Sequence, residues 1–405
     1  MRRASGPLEC LRNSKVEIDC ACTMFERLWL CRRVQPGTDL DRVHYRVALA
    51  IQDLCRSDPP RPSGISCGEN AHRMNKLTTR IEAIDFVKGA LVLLMVAYHA
   101  LNYLRYDTLP HTYLSFLPAS FITITGYLVS KLNARKQDRT IPDIAFRLVT
   151  RAAKLLLIFT VLNVGARLVW TRTHYGAQIG VWDFFNQWFK VYITADAPSV
   201  AFDILVPIAY TLLLSVPILA VQRLMPAFAG MIAGISVVFC VTIDCLGIPI
   251  TNTFLISAGL VGMWLGTIEM EQVDKVANSY GLLVALVAID LCLKVLQFDN
   301  FAAQLYVTLV SLLILYSVGC ALNPKWLWFQ QVSLLGRYSL LGYITQMLFL
   351  QGARAFEGAS LGTPVAKPVA LIFMVSTLMW LTIVLVDLGR RKFLRIDRLY
   401  RAVFA

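Results

Sequence analysis

The feature that most constrains this chain is a succession of apolar runs, each of roughly twenty residues, the length an α-helix needs to cross about 30 Å of hydrocarbon. Ten such runs can be read, at about 86–104, 113–132, 152–170, 200–222, 227–247, 250–271, 279–298, 301–322, 333–353 and 367–388. Backbone amides in lipid must be satisfied within their own segment, so runs of this kind fold as helices. The expected fold class is all-α, a polytopic transmembrane bundle of about ten spans. Composition agrees: 57% of the 405 residues are hydrophobic and 16% charged, where soluble domains carry about 25% charged residues. A soluble enzyme is excluded.

Charge sets the expected orientation. The net charge is +13, from 39 Lys and Arg against 26 Asp and Glu. No basic stripe is interleaved with aromatics, so no nucleic-acid partner is expected. The excess lies in 131–151 and in the tail Arg390, Arg391, Lys392, Arg395, Arg398 and Arg401. Short Lys/Arg-rich segments favour the cytoplasm, and ten spans put both there, together with both termini. The connections near Asp107, Gly247 to Pro249, and Asp299 are poor in Lys and Arg and fall on the opposite side. The expected location is a bacterial inner (plasma) membrane, crossed many times, with membrane lipid as the first partner. A homodimer is compatible with the sequence.

Residues 1–73 have no long apolar run, contain Pro59-Pro60, and hold six of the ten cysteines without a secretory signal or a familiar zinc spacing. They are expected to be a disordered tail or to precede a translation start at Met74. Residues 74–390 form the expected transmembrane domain and 391–405 a basic cytoplasmic tail. The stretch Thr171 to Ser199, with Trp182, Phe184, Phe185, Trp188 and Phe189, is expected to be interfacial or re-entrant on the outer face. No metal site is expected.

Ionisable groups inside spans are costly unless paired or solvated, so they mark where to look for function. His99 follows Lys88 by about three helical turns and Asp85 by about four, which puts all three on one face of the first span. Asn102 and Tyr103 continue that face beyond His99. Two readings of His99 stand side by side: an interhelical hydrogen bond, or a general base whose intrinsic pKa suits proton transfer near neutral pH. Asp85 and Lys88 read as a surface ion pair of little worth alone. Arg147 and Arg151, one turn apart with Lys154 nearby, either anchor the third span at lipid headgroups or converge on a phosphate.

The segment IDFVKGALVLLMVAYH, residues 84–99, resembles the opening signature of integral-membrane acyltransferase family 3 and of the related glucan succinyltransferases and heparan glucosaminide acetyltransferase-like domains. That signature is an Asp, a basic residue followed by Gly, and a His after ten intervening residues. Lys88 stands where the family more often has Arg. SFITITGYLVSKL, with Gly126-Tyr127, is similar to the family's second span, and Arg147 and Arg151 sit where it carries a basic pair. LLGRYSLLGYITQMLFL is similar to its penultimate span: Gly336, Ser339 and Tyr343 match, and Gln346 replaces a frequent His.

The resemblance implies an O-acyltransferase with acyl-CoA as co-substrate and no tightly bound cofactor. His99, Asp85 and Gln346 are the expected catalytic residues. Lys88, Arg147 and Arg151 are expected to bind the donor, and Asn102, Tyr103, Tyr343 and Arg337 the acceptor or the developing oxyanion. The expected acceptor is a hydroxyl of an extracytoplasmic saccharide or lipid-linked glycan. The alternative is a transporter or flippase of lipid-linked saccharide, with Pro207, Pro217 and Pro249 marking broken helices. Its candidate coupling carboxylates, Asp203, Asp244 and Asp290, are scattered along the chain.

Overall fold

A computed structural model describes residues 67–103, 113–134, 140–170, 181–194, 202–248, 251–295, 300–355 and 366–404. Apart from residues 67–71, they belong to the second of two units, His72–Ala405. The expectation for the first 73 residues lies, as far as residue 66, outside the described residues; from Cys67 the chain is helical.

Every element among the described residues is a helix. In chain order they are α1 (Cys67–Tyr103), α2 (Leu117–Ala134), α3 (Ile141–Trp170), α4 (Val181–Asn186), α5 (Leu205–Gln222), α6 (Phe228–Cys245) and α7 (Thr251–Leu265). There follow α8 (Met270–Ala277), α9 (Tyr280–Val295), α10 (Phe301–Ala321), α11 (Leu327–Arg337), α12 (Ser339–Ala355), α13 (Ala366–Lys392) and α14 (Leu394–Phe404). A π-helical turn, Phe189–Thr194, follows α4.

Each of the ten expected segments overlaps a helix, but among the described residues five helices are long and apolar enough to cross a membrane alone: Glu82–Asn102 of α1, α5, α6, α10, and Pro368–Lys392 of α13. A sixth is added if α7 and α8, bent by 106° at their junction, count as one span. The remaining four are shorter or more polar. α9 is apolar only over Tyr280–Leu293, and α12 has 17 residues. α2 carries Ser120, Thr123, Thr125, Ser130 and Lys131, and α3 carries Arg147, Arg151 and Lys154 in its first half. Three of these four, α2, α3 and α12, are also walls of the cavity described below, and part of their polar content is its lining: Thr125 and Lys131 of α2, and Arg147, Arg151 and Lys154 of α3.

Apolar side chains gain little by leaving lipid for one another, so helices in a bilayer associate through close backbone approach and interhelical hydrogen bonds. Both occur here. A Cβ on Gly126 would overlap the Gly259 carbonyl oxygen, and one on Gly262 would overlap that of Thr123, so α2 and α7 touch backbone to backbone. A second close crossing joins α1 to α11. A Cβ on Gly89 would overlap the Val332 carbonyl oxygen, and one on Gly336 that of Asp85. α12 then runs beside α1 with Gly342 against Val92, and α13 covers both through Val375, Met379 and Ile383, fully buried and spaced one turn apart. Lys131 donates to the Ile268 carbonyl at the bend between α7 and α8 (2.6 Å), and Tyr316 donates to Asp274 (2.8 Å), which ties α8 to α10.

The aromatic stretch forms α4 and the π-turn, with 171–180 and 195–201 outside the described residues. Phe184 is buried against Phe159 and Tyr192, while Trp182, Trp188 and Phe189 are exposed, the division an interfacial segment needs.

Candidate active site

A cavity of about 920 Å³ opens at the end of the bundle where α1 begins its apolar run, α2 ends and α3 starts. Its size lies near the top of the range for ligand pockets, about 300–1,000 Å³. Among the described residues six cationic side chains line it, Lys88, Lys131, Arg147, Arg151, Lys154 and Arg337, and Asp85 is the one carboxylate. That carboxylate bridges two of them: Lys88 Nζ is 2.6 Å from Oδ1 and Arg337 Nε is 3.4 Å from Oδ2. Six cations against one carboxylate create a positive potential focused by low-dielectric walls. The arginines are placed by the start of α3, which Thr140 caps: its hydroxyl accepts the Asp143 N–H (3.4 Å) and donates to the Asp143 carboxylate (2.7 Å). Arg147 and Arg151 follow one and two turns later on the cavity face.

Toward the middle of the bundle the lining turns apolar, with Phe121, Ile204, Ile208 and Leu212, and reaches Tyr343. The Tyr343 ring lies 6.1 Å from the imidazole of His99 and 6.1 Å from Phe202. Neither His99 nor Gln346 lines the cavity; Tyr343 stands between it and the imidazole. His99 Nε2 is buried and has no hydrogen-bond partner among the described residues. Gln346, one turn beyond Tyr343 on α12, is wholly buried, and both its amide atoms likewise lack a partner among the described residues. A buried polar atom without a partner costs about 1–3 kcal/mol. Three on facing helices mark a place built for something polar rather than for packing. Phe202, buried next to Tyr343, has φ of 64°, a conformation a bulky L-residue pays for and that recurs at functional sites.

A second polar group adjoins the imidazole. The Tyr98 ring meets His99 edge to face at 5.3 Å, its hydroxyl hydrogen-bonds the exposed Asn102, and the Asp203 carboxylate lies close enough to act on it. Asp203 Oδ1 accepts the Ile204 N–H (2.9 Å) at the start of α5. His99 is thus in ring contact with two tyrosines: Tyr343, which lines the cationic cavity, and Tyr98, which interacts with Asn102 and Asp203.

The expected site residues divide accordingly. Asp85, Lys88, Arg147, Arg151, Arg337 and Tyr343 surround one cavity. His99 and Gln346 lie past Tyr343. Asp85 is about 21 Å from His99 along the helix at 1.5 Å per residue, and both it and Arg337 are engaged with each other at the charged end. Asn102 is on the far side, and the Tyr103 side chain lies outside the described residues. Tyr98 escaped the sequence reading although Asn102, four residues on, shares its helix face.

A wall of the cavity also escaped it. Tyr400, Val403 and Phe404 of α14 line the mouth. α14 is docked by Arg390, which donates from Nε and Nη2 to Asp397 Oδ1 (3.0 and 2.9 Å) and from Nη1 to the Tyr338 hydroxyl (3.0 Å), itself donating to Asp387 (2.8 Å). The hydrogen bond from Arg390, then that from Arg401, holds the Asp397 carboxyl below its usual value. A carboxyl lowered by folding contributes above the unfolded value, about 3.9, and loses that contribution as pH falls through the lowered value. A spin label at position 399 is therefore expected to report an immobile α14 above about pH 5 and an increasingly mobile one as pH is taken down below the ordinary carboxylate range. In Asp397→Asn it should be mobile throughout. A pH-independent spectrum in the unmodified chain would remove this role for Asp397.

A family model described as an acyltransferase domain matches residues 81–387, three quarters of the chain and nearly every element of the cavity. No curated protein and no solved structure matches the chain. With charged mouth, buried imidazole and matched domain coinciding in one bundle of apolar helices, the chain belongs to acyltransferase family 3 and is a membrane acyltransferase.

Proposed function

We propose that this protein moves an acyl group from cytoplasmic acyl-CoA to a hydroxyl of an extracytoplasmic saccharide or lipid-linked glycan in the bacterial inner membrane. In this reading it has ten spans and both termini in the cytoplasm, with α2, α3, α9 and α12 completing the six helices that pass alone or as a bent pair. The observation that carries it is His99 Nε2, buried without a hydrogen-bond partner among the described residues and 6.1 Å by ring centroid from Tyr343, which lines a cavity bearing six cations.

The chemistry follows from the layout. Arg147 and Arg151 hold donor phosphates by charge-assisted hydrogen bonds, and the acyl-bearing arm runs along the apolar lining to Tyr343. The acceptor comes past Asn102, Tyr98 and Asp203. His99 Nε2 takes the hydroxyl proton as the oxygen attacks the thioester carbonyl, the Gln346 N–H donates to the developing oxyanion, and the C–S bond breaks. The imidazolium returns its proton to the departing thiolate. Asp85 holds Lys88 and Arg337 at the mouth and orients them there; it does not reach the imidazole.

Replacing both Arg147 and Arg151 by alanine is expected to raise the KM for acyl-CoA about tenfold or more with kcat and acceptor KM little changed, since each charge-assisted hydrogen bond is worth about 1.5–3 kcal/mol and exposure discounts it. Initial rates with radiolabelled donor check this. An unchanged donor KM would assign the pair to lipid headgroups, and saccharide crossing unmodified would support the carrier.

A further inference from the structure

The helix α14 lies beyond the matched segment, which ends at 387, yet it builds part of the cavity mouth. Two of its three lining residues are aromatic. Tyr400 and Phe404 are one turn apart with ring planes 28° from parallel and centroids 5.0 Å apart. The Arg390 guanidinium sits 4.0 Å from the Tyr400 centroid, and Tyr338 meets that ring edge to face at 5.3 Å. Arg390 is itself fixed by Asp397 and Tyr338, so the rings are held in place rather than left to move with a loose tail. Arg151, on the facing helix, is near enough for its charge to act on Tyr400. Arg390 and Phe404 take the two faces of Tyr400, so the Phe404 face turned away from Tyr400 is the one a base can stack on, with Tyr400 backing it and the phosphates meeting the arginines of the cavity.

We propose that Tyr400 and Phe404 form the subsite for the nucleobase of the donor, with Arg147 and Arg151 taking the adjoining phosphates. This rests on the acyl-CoA reading and goes further by naming where the adenine docks. It gives the mouth a division of labour: α14 reads the nucleotide, α3 its charge, and the apolar lining toward Tyr343 the acyl-bearing arm.

The test compares two donors on the full chain in lipid nanodiscs, acyl-CoA and the same acyl group on phosphopantetheine, which has no nucleotide. In Tyr400→Ala and in Phe404→Ala the KM for acyl-CoA should rise about tenfold with kcat retained, the scale of one stacked base. The KM for acyl-phosphopantetheine should stay where it is. Tyr400→Trp should keep the low acyl-CoA KM, and Leu399→Ala, on the exposed face of the same helix, should alter neither donor. Phe404→Ala leaves the Arg390–Tyr400 contact in place, so it separates loss of stacking from loss of α14 docking. Equal rises for both donors, or none for either, would overturn the subsite while leaving the acyl-CoA reading intact. A wild-type protein that uses neither donor would instead sink that reading, and the subsite with it. Adenosine 3′,5′-bisphosphate gives an independent readout: saturation-transfer NMR should show its adenine protons against the wild-type protein and lose them in Phe404→Ala.

Discussion

His99→Ala is expected to cut acyl transfer by about 10³-fold, within the 10²–10⁴ that a positioned general base supplies. The protein should still insert, and acyl-CoA should still bind with its normal affinity. The expectation is this sharp because, among the described residues lining the donor cavity, the charged side chains of α1 sit at its mouth. The charged groups of α1 on the donor side are remote: Lys88 is about 16.5 Å and Asp85 about 21 Å down the helix, and the two are paired with each other. Tyr98, beside the imidazole, already bonds Asn102. Since His99 does not line the donor cavity, its loss should leave donor KM unchanged and appear in kcat, the signature of an interaction made only at the transition state. Initial rates together with separate donor binding distinguish this from general misfolding, which would depress both.

The second large effect concerns the crossing that sets the mouth of the cavity. Gly336→Val is expected to destabilise the bundle by about 3 kcal/mol or more, the upper end for overpacking. The added atoms would meet the Asp85 carbonyl, which is helix backbone and cannot rotate aside as a side chain would. Displacing α11 from α1 also separates Asp85 from Arg337 and undoes the arrangement of cations. The control is Gly165→Ala in α3, where an added Cβ meets nothing within 4 Å and the helix gains up to about 1 kcal/mol of propensity. Thermal stability of the detergent-solubilised protein, followed by size-exclusion recovery after heating, should fall steeply in the first variant and hold in the second. Equal stability of the two would mean that the crossing is looser than its geometry requires.

Much of this was legible from residue order, and the misses have physical causes. Apolar run length located all ten helical segments, because hydrocarbon leaves a chain no other way to satisfy its amides. It overstated how many are apolar enough to span alone, because α2, α3 and α12 carry the cavity's polar lining: Thr125, Tyr127 and Lys131, then Arg147 and Arg151, then Ser339 and Tyr343. Helical periodicity put Asp85, Lys88 and His99 on one face, yet sharing a face is not sharing a site: the rise along α1 leaves the ion pair at the mouth and the imidazole past Tyr343. Gln346 was reached through resemblance, and its burial without a partner among the described residues could only come from packing.

The basic tail hid more. Ile396, Leu399, Tyr400, Val403 and Phe404 recur at helical spacing among the arginines, so an amphipathic helix was there to be read. Its docking was not, since Arg390 pairs with Tyr338 from 52 residues away and no local pattern encodes that contact.

The central claim, that one imidazole joins a donor from one face of the membrane to an acceptor on the other, is tested most directly in sealed vesicles of known orientation holding a saccharide acceptor on one side. Radiolabelled acyl-CoA should pass its acyl group to that saccharide only when supplied to the face carrying α14 with acceptor on the opposite face, and not at all in His99→Ala. Label that moves with donor and acceptor confined to one face, or at the same rate without the imidazole, would contradict the account.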